Sequence, residues 1–255
     1  LVAWDASEAW AHESEDHEKP GKFTKVEEHK PTPLPDRVVL TWSADTATTM
    51  DVTWRTDTTV DQPLIQYNLA AKMVGNMKEG AREFTQLQGK TNGFESDLGK
   101  CLIHSARLTE LKPDTMYAYR VGDGKHFSEW FQFRTASVND KPFTFVYFGD
   151  AQNSIRSLWS RVIREANQHA PRASFMLHAG DLVGDMQYDA EWGEWFRAGG
   201  WLNGMIPVVA SPGNHEYGDE IGLSPHWRPQ FSFPLNGPPG LEETAYWFDY
   251  NNARI

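Results

Sequence analysis

A chain of 255 residues with 40% hydrophobic and 13% aromatic residues can bury a large core without disulfide support. Its net charge of −11 argues against coating of nucleic-acid phosphates, and no apolar run approaches the roughly 20 residues of a membrane span. The single cysteine, Cys101, excludes an intrachain disulfide and a cysteine-cluster metal site. Its neighbours predict a small buried thiol in a strand.

The hydrophobic pattern divides the chain into three segments. Residues 1–35 are acidic and end in closely spaced prolines, which predicts an arm or linker. We expect its histidines, His12, His17 and His29, to be solvated. Residues 36–138 contain short runs that alternate apolar and polar positions, typical of antiparallel strands. The clearest runs are RVVLTWS, TMDVTWRT, PLIQYNLA, CLIHSARL, TMYAYRV and EWFQFRT. This number of strands in such a length predicts an all-β sandwich.

After Lys141 apolar strands alternate with helical periodicity. FTFVYFGD, ASFMLHAGD and IPVVASPGNHE read as strands, the first of them buried on both faces as in a parallel sheet. The spacing of apolar residues predicts the intervening helices over residues 154–170 and 189–202. The buried face of the first helix is expected to carry Ile155, Leu158, Val162 and Ala166, widened by Trp159 and Ile163. This order predicts an α/β unit over residues 141–255, with ligands at the carboxyl ends of its strands.

Each of these three strands is followed by a glycine turn that carries polar residues. The candidates are Asp150, Gln152, Asp181, Asn214, His215 and Glu216. Carboxylate and amide oxygens that converge without a lysine or arginine among them call for a cation, and their chemistry suits divalent metals. Asp181, in the middle, is the natural bridge between two ions. His215 can bind a phosphoryl oxygen or protonate a leaving group, with Glu216 as its orienting partner.

These motifs resemble those of the calcineurin-like metallophosphoesterases. Gly149–Asp150, Gly180–Asp181 and the GNHE of residues 213–216 match the first three family motifs. PDRVVLTW and LTELKPDTMYAYRVGDG resemble the fibronectin type III-like domain that precedes the catalytic domain in the purple acid phosphatase branch. The resemblance implies a sandwich followed by a four-layer αββα-type domain. It also implies that Asp150 binds a first metal, Asp181 bridges, Asn214 binds a second metal and His215 contacts the substrate phosphate.

The sequence departs from this branch at several positions. Gly184 stands where purple enzymes carry the tyrosine that binds ferric iron, and Tyr188 is out of register with it. Gln152 replaces the histidine of the wider superfamily, so either direct or water-mediated ligation is open. His178 and His226 fit no ligand motif and are interpreted as packing or surface residues. The family's later histidines are not found, so we expect an incomplete catalytic domain and a missing C-terminal part as its obligatory partner.

The leading hypothesis is a phosphoester hydrolase, most simply a phosphomonoesterase, that uses two metal ions and a metal-bound hydroxide on a phosphorylated small molecule. The metals could be iron, zinc or manganese. The resemblance implies a periplasmic or extracellular location. The alternatives are an extracellular binding or assembly module with a vestigial metal site, and a metal-storage or sensing protein. An intact set of downstream histidines would favour the enzyme.

Overall fold

The computed structural model describes residues 25–73 and 83–255. Its first eight strands are β1 (Asp36–Thr41), β2 (Met50–Thr56), β3 (Leu64–Leu69), β4 (Thr85–Gln88), β5 (Lys90–Ser96), β6 (Gly99–Leu108), β7 (Met116–Gly122) and β8 (Phe131–Arg134). The later strands are β9 (Val146–Phe148), β10 (Met176–His178), β11 (Val208–Ala210), β12 (Tyr217–Gly218), β13 (Gly222–Leu223), β14 (Asp249–Tyr250) and β15 (Ala253–Arg254). The helices are α1 (Lys25–Glu28), α2 (Ser160–His169), α3 (Asp189–Gly199) and α4 (Trp227–Gln230).

The first half of the chain forms the predicted β-sandwich. One antiparallel sheet has the order β1-β2-β6-β5 and the other has the order β4-β3-β7-β8. Their inner faces share one core, in which Trp42, Trp54, Tyr119 and Phe133 are almost completely buried. All six predicted runs are strands, and Cys101 is buried in β6 as expected, where burial raises the pKa of its thiol to about 11. The polar strands β4 and β5 were not predicted, because their sequence carries few β-branched or aromatic residues.

The second half contains the predicted α/β unit. β11, β10 and β9 form a parallel sheet in that order. One face packs against α2 and α3, while the other face, through Phe175 and Val209, joins the core of the sandwich. Beyond this sheet the described residues of the unit add the hairpins β12-β13 and β14-β15. Of the four predicted layers, the described residues therefore supply one parallel sheet and one layer of helices.

Two expectations about burial were wrong. Tyr147 in β9 is 65% exposed, because β9 is the edge strand and its second face is only partly covered. Leu158 and Val162 are 54% and 51% exposed, although they were predicted on the buried face of the first helix. That helix begins with a π-helical turn, Ile155–Trp159, which adds a residue per turn and rotates the following positions. The buried row is instead Ile155, Trp159 and Ile163.

A buried ion-pair cluster joins the sandwich to the α/β unit. Asp189, the first residue of α3, accepts hydrogen bonds from Arg37 at 2.7 Å and from Arg55 at 3.1 Å. Nε2 of His226, a buried packing residue, lies 3.2 Å from the same carboxylate. Burial alone would raise the pKa of Asp189, but His226 and the arginine charges outweigh it and hold that pKa well below its usual range. The cluster fixes the start of α3 against β1 and β2.

The end of the N-terminal arm packs on the α/β unit. Glu28 forms ion pairs with Arg156 and Arg197, which lie on the surface of that unit. His29 is 6% exposed and sits directly over Gly193 of α3, where a Cβ atom would come within 2.5 Å of its Nδ1. The expectation that His29 is solvated was therefore wrong, because α3 offers a glycine surface that the ring covers. His12 and His17 lie outside the described residues.

Candidate metal centre

The three parallel strands end in register, and the predicted metal-binding residues follow these ends. Phe148, His178 and Ala210 are aligned as the last residues of β9, β10 and β11. Adjacent strands in a sheet lie about 4.8 Å apart. The loops that leave this edge therefore start side by side, and they carry Asp150, Gln152, Asp181 and Asn214.

Two of the strand ends turn through an unusual backbone conformation. Asp150 has a φ of 52° and Asp181 a φ of 53°, both in the left-handed region that L-residues seldom adopt. Aspartate tolerates this conformation better than most residues. Strained backbone of this kind concentrates at functional sites, where the surrounding structure holds it in place.

Asp181 is the centre of the hydrogen bonds that connect the three loops. Its Oδ2 accepts a hydrogen bond from the Gln152 amide at 3.3 Å, and its Oδ1 accepts one from the backbone N–H of His215 at 3.0 Å. The structure therefore brings Gln152, Asp181 and His215 together. Asp150 and Asn214 have exposed side chains on the two flanking loops.

Glu216 holds the loops through their backbone rather than through His215. Its carboxylate is fully buried and accepts hydrogen bonds from the N–H groups of Asp181 and Gly213 at 2.9 and 2.8 Å. The N–H groups of Leu182 and Val183 donate to its other oxygen at 2.8 and 3.4 Å. Burial raises the pKa of Glu216, and the backbone donors oppose that shift. The predicted orienting role toward the His215 ring is thus replaced by a clamp between two loops.

The His215 ring takes its orientation from a backbone carbonyl. Its Nδ1 lies 2.8 Å from the oxygen of Gly184, in the loop that follows Asp181. A carbonyl oxygen can only accept, so Nδ1 carries the hydrogen and Nε2 is the ring nitrogen that remains for another partner. Sequence reasoning missed this contact, because Gly184 contributes only its backbone to it.

The second and third loops approach so closely that only glycines fit between them. A Cβ atom on Gly180 would lie 2.3 Å from the nitrogen of Gly213, and Gly180 also has a φ of 92°. A Cβ atom on Gly213 would lie 2.2 Å from Oδ1 of Asp181. The motif glycines therefore serve close packing between loops as well as sharp turns.

His178 has the packing role that the sequence suggested. It is 1% exposed and its ring contacts those of Phe148, Trp159 and Trp195, at centroid distances of 5.2, 5.7 and 5.4 Å. Burial lowers the pKa of His178 to about 3. The neutral His178 ring therefore packs within an aromatic cluster and stabilises the end of β10. Tyr188 lies just before α3, where its N–H donates to the carbonyl of Asp185.

The donor set at this edge fits part of a metal centre. Two carboxylates and two carboxamides supply hard oxygen donors, which divalent cations accept. Within residues 25–73 and 83–255, however, no group of three or more histidine, cysteine, aspartate or glutamate residues is placed to hold a metal ion. A zinc ion in a protein commonly has four ligands, counting water, and hard cations such as magnesium or calcium have about six or more. The oxygen donors therefore need further ligands to complete two sites.

Two family models match the chain. Residues 143–252 match the model of the calcineurin-like phosphoesterases, so this part of the chain is a calcineurin-like phosphoesterase domain. Residues 35–135 match the model of the N-terminal domain of purple acid phosphatases, so the chain carries that domain ahead of the phosphoesterase domain. The narrower expectation that the sandwich is fibronectin type III-like stays a prediction. In the described part of the chain, no helix combines the length and apolar character needed to cross a membrane.

Individual proteins resemble the chain over part of their length. Acid phosphatase type 7 of Danio rerio is 29% identical over 154 residues, covering 58% of this chain and 32% of that protein. Phosphoenolpyruvate phosphatase of Allium cepa is 25% identical over 175 residues, covering 65% of this chain and 36% of that protein. The structure of purple acid phosphatase PPD1 from yellow lupin seeds has a TM-score of 0.66 at 19% identity, covering 85% of this chain and 43% of that one. The chain thus spans about a third of the length of these curated relatives.

Proposed function

We propose that this chain supplies the first half of the active site of a metal-dependent phosphoester hydrolase that cleaves phosphomonoesters. The observation that carries the proposal is the alignment of three strand ends, with Asp181 hydrogen-bonded to residues of both neighbouring loops. The superfamily match supports the reaction class. The names of two relatives, an acid phosphatase and a phosphoenolpyruvate phosphatase, support a phosphomonoester of a small molecule as substrate.

The roles follow from the positions of the side chains. Asp150 and Gln152 would hold one metal ion, Asn214 a second, and Asp181 would lie between them. Two bound ions, whether of iron, zinc or manganese, would stabilise the charge of the phosphoryl group and acidify the attacking water. His215 would donate to a phosphoryl oxygen or to the leaving oxygen from Nε2 once that nitrogen also carries a hydrogen, since its Nδ1–H is engaged by the Gly184 carbonyl. Export to the periplasm or the outside of the cell belongs to the same proposal.

The first test is the intact mass and the metal content of the protein in its native form. About two metal ions per protein, with hydrolysis of p-nitrophenyl phosphate, are expected. Asp181→Asn should lose metal and at least a hundredfold of the activity, because the central carboxylate serves both ions. Asp219→Asn, at an exposed aspartate outside the three loop contacts, is the matched control.

Three results would count against the hydrolase. The first is full activity in Asp181→Asn. The second is a native protein that contains no metal and cleaves no phosphoester, which would favour the binding or assembly module with a vestigial site. The third is metal binding without turnover, which would favour storage or sensing.

A further inference from the structure

Glu191 contacts the loop that holds His215. It lies in the first turn of α3, and its Oε2 accepts hydrogen bonds from the N–H of Gly184 at 2.8 Å and from the N–H of Asp185 at 2.9 Å. A single carboxylate oxygen thus binds two successive backbone donors. The helix that supplies it is fixed at its start by the buried Asp189 cluster, so the carboxylate is presented from a rigid element.

One peptide group connects this carboxylate to the His215 ring. The N–H of Asp185 and the carbonyl of Gly184 belong to the same peptide unit. The N–H donates to Glu191, and the carbonyl oxygen lies 2.8 Å from Nδ1 of His215. A charged acceptor on the N–H polarises the peptide and makes its carbonyl a better acceptor, an effect of about 10–30% per bond in condensed phase.

We propose that Glu191 is a positioning residue for His215. Acting through the Gly184–Asp185 peptide, it orients the ring and selects the tautomer with hydrogen on Nδ1, so that Nε2 faces the substrate. This use of Nε2 rests on the proposed function. The neighbouring Glu216 cannot serve instead, because its carboxylate is occupied by four backbone donors.

The glycine at position 184 makes this contact fit. A Cβ atom there would lie 3.3 Å from Oε2 of Glu191, closer than most carbon atoms approach an oxygen. A side chain at position 184 would require the carboxylate to move by a few tenths of an ångström. The absence of a side chain at position 184 therefore leaves room for the Glu191 carboxylate beside the two N–H groups.

The tautomer can be read directly by nuclear magnetic resonance. The 255-residue chain is labelled with ¹⁵N-histidine, without metal or substrate, and studied near pH 8, above the ordinary histidine pKa of about 6.5. The His215 signals are assigned from their loss in His215→Gln. The parent should show a protonated Nδ1 and an unprotonated Nε2. Glu191→Ala should show a mixture of tautomers, whereas Glu191→Gln, which keeps an acceptor oxygen, should restore most of the parent pattern.

A second variant covers the case in which Glu191→Ala does not fold. Glu191→Asp keeps an acidic residue in the first turn of α3, where it favours the helix, but is one methylene too short to reach the loop. It should also give mixed tautomers, and Glu220→Ala, at an exposed glutamate, should match the parent. An unchanged single tautomer in folded Glu191→Ala or Glu191→Asp would overturn the proposal.

A kinetic measurement separates this proposal from the proposed function. In active protein, Glu191→Ala should lower kcat about tenfold with little change in KM, the size of effect that outer-shell partners commonly have. A shifted tautomer in a protein without phosphatase activity would support the role of Glu191 and reject the hydrolase. Unchanged kcat together with an unchanged tautomer would reject the role of Glu191 alone.

Discussion

Removing the negative charge of Glu216 tests the loop clamp most directly. Glu216→Gln keeps the size of the side chain but turns one acceptor oxygen into an NH₂ donor. In the parent, one oxygen serves Gly213 and Asp181 at 2.8 and 2.9 Å, and the other serves Leu182 and Val183 at 2.8 and 3.4 Å. A glutamine can keep only one of these pairs and sets its NH₂ against the other.

The expected loss of stability comes from the two backbone N–H donors that lose their acceptor oxygen. The better arrangement keeps Gly213 and Asp181 and gives up one short and one long hydrogen bond. A buried donor left without a partner costs about 1–3 kcal/mol. We therefore expect the free energy of unfolding to fall by roughly 3 kcal/mol, a large part of the usual total of about 5–15 kcal/mol.

Urea denaturation followed by tryptophan fluorescence measures this difference, since several of the 11 tryptophans are buried. Glu220→Gln makes the same chemical change at an exposed glutamate and should leave the midpoint within the error of the parent. A Glu216→Gln protein within about 0.5 kcal/mol of the parent would refute the clamp, because surface substitutions commonly have effects of that size.

Four further predictions follow from the same structure. Gly180→Ala should lower the free energy of unfolding by roughly 3 kcal/mol, because alanine is strained at a positive φ and its Cβ would overlap with Gly213. Gly222→Ala, also at a positive φ but with open space around the Cβ position, should show only the cost of backbone strain; urea denaturation midpoints measure both. Asp189→Asn should cost about 3–5 kcal/mol of unfolding free energy by leaving buried guanidinium groups underpaired; a loss below about 1 kcal/mol would contradict this. Burial lowers the pKa of His178 to about 3, so the folded state disfavours its protonated form; neutral His178 therefore contributes fully to the free energy of unfolding above the unfolded pKa of about 6.5, and this contribution declines as the pH falls toward 3. At pH 5 the free energy of unfolding should be lower by about 2 kcal/mol on this account, and His178→Leu should make the free energy of unfolding less dependent on pH. Because Gly184 provides no phenolate, an iron-loaded protein should lack a purple charge-transfer band in its visible spectrum, and observation of that band would show that another tyrosine binds the iron.

Several features of the fold could be predicted because their signals are local. Alternation over six runs indicated the sandwich, and apolar strands followed by Gly-Asp or Gly-Asn indicated a parallel sheet with polar residues at its edge. Strand pleat and glycine turns depend on neighbouring residues, so the sequence carries them directly. The positions of Asp150, Asp181 and Asn214 at three strand ends were predicted on this basis.

The partners of the site residues depended on tertiary structure. Glu216 binds backbone donors of Asp181 and Leu182, which lie 35 and 34 residues away, and His215 contacts a carbonyl 31 residues away. Backbone donors and acceptors are the same at every position, so no residue type marks which of them will be used. The sequence alone therefore determined which side chains reach the edge of the sheet, while only the packing of the loops decided that Glu216 clamps backbone and that a peptide group orients His215.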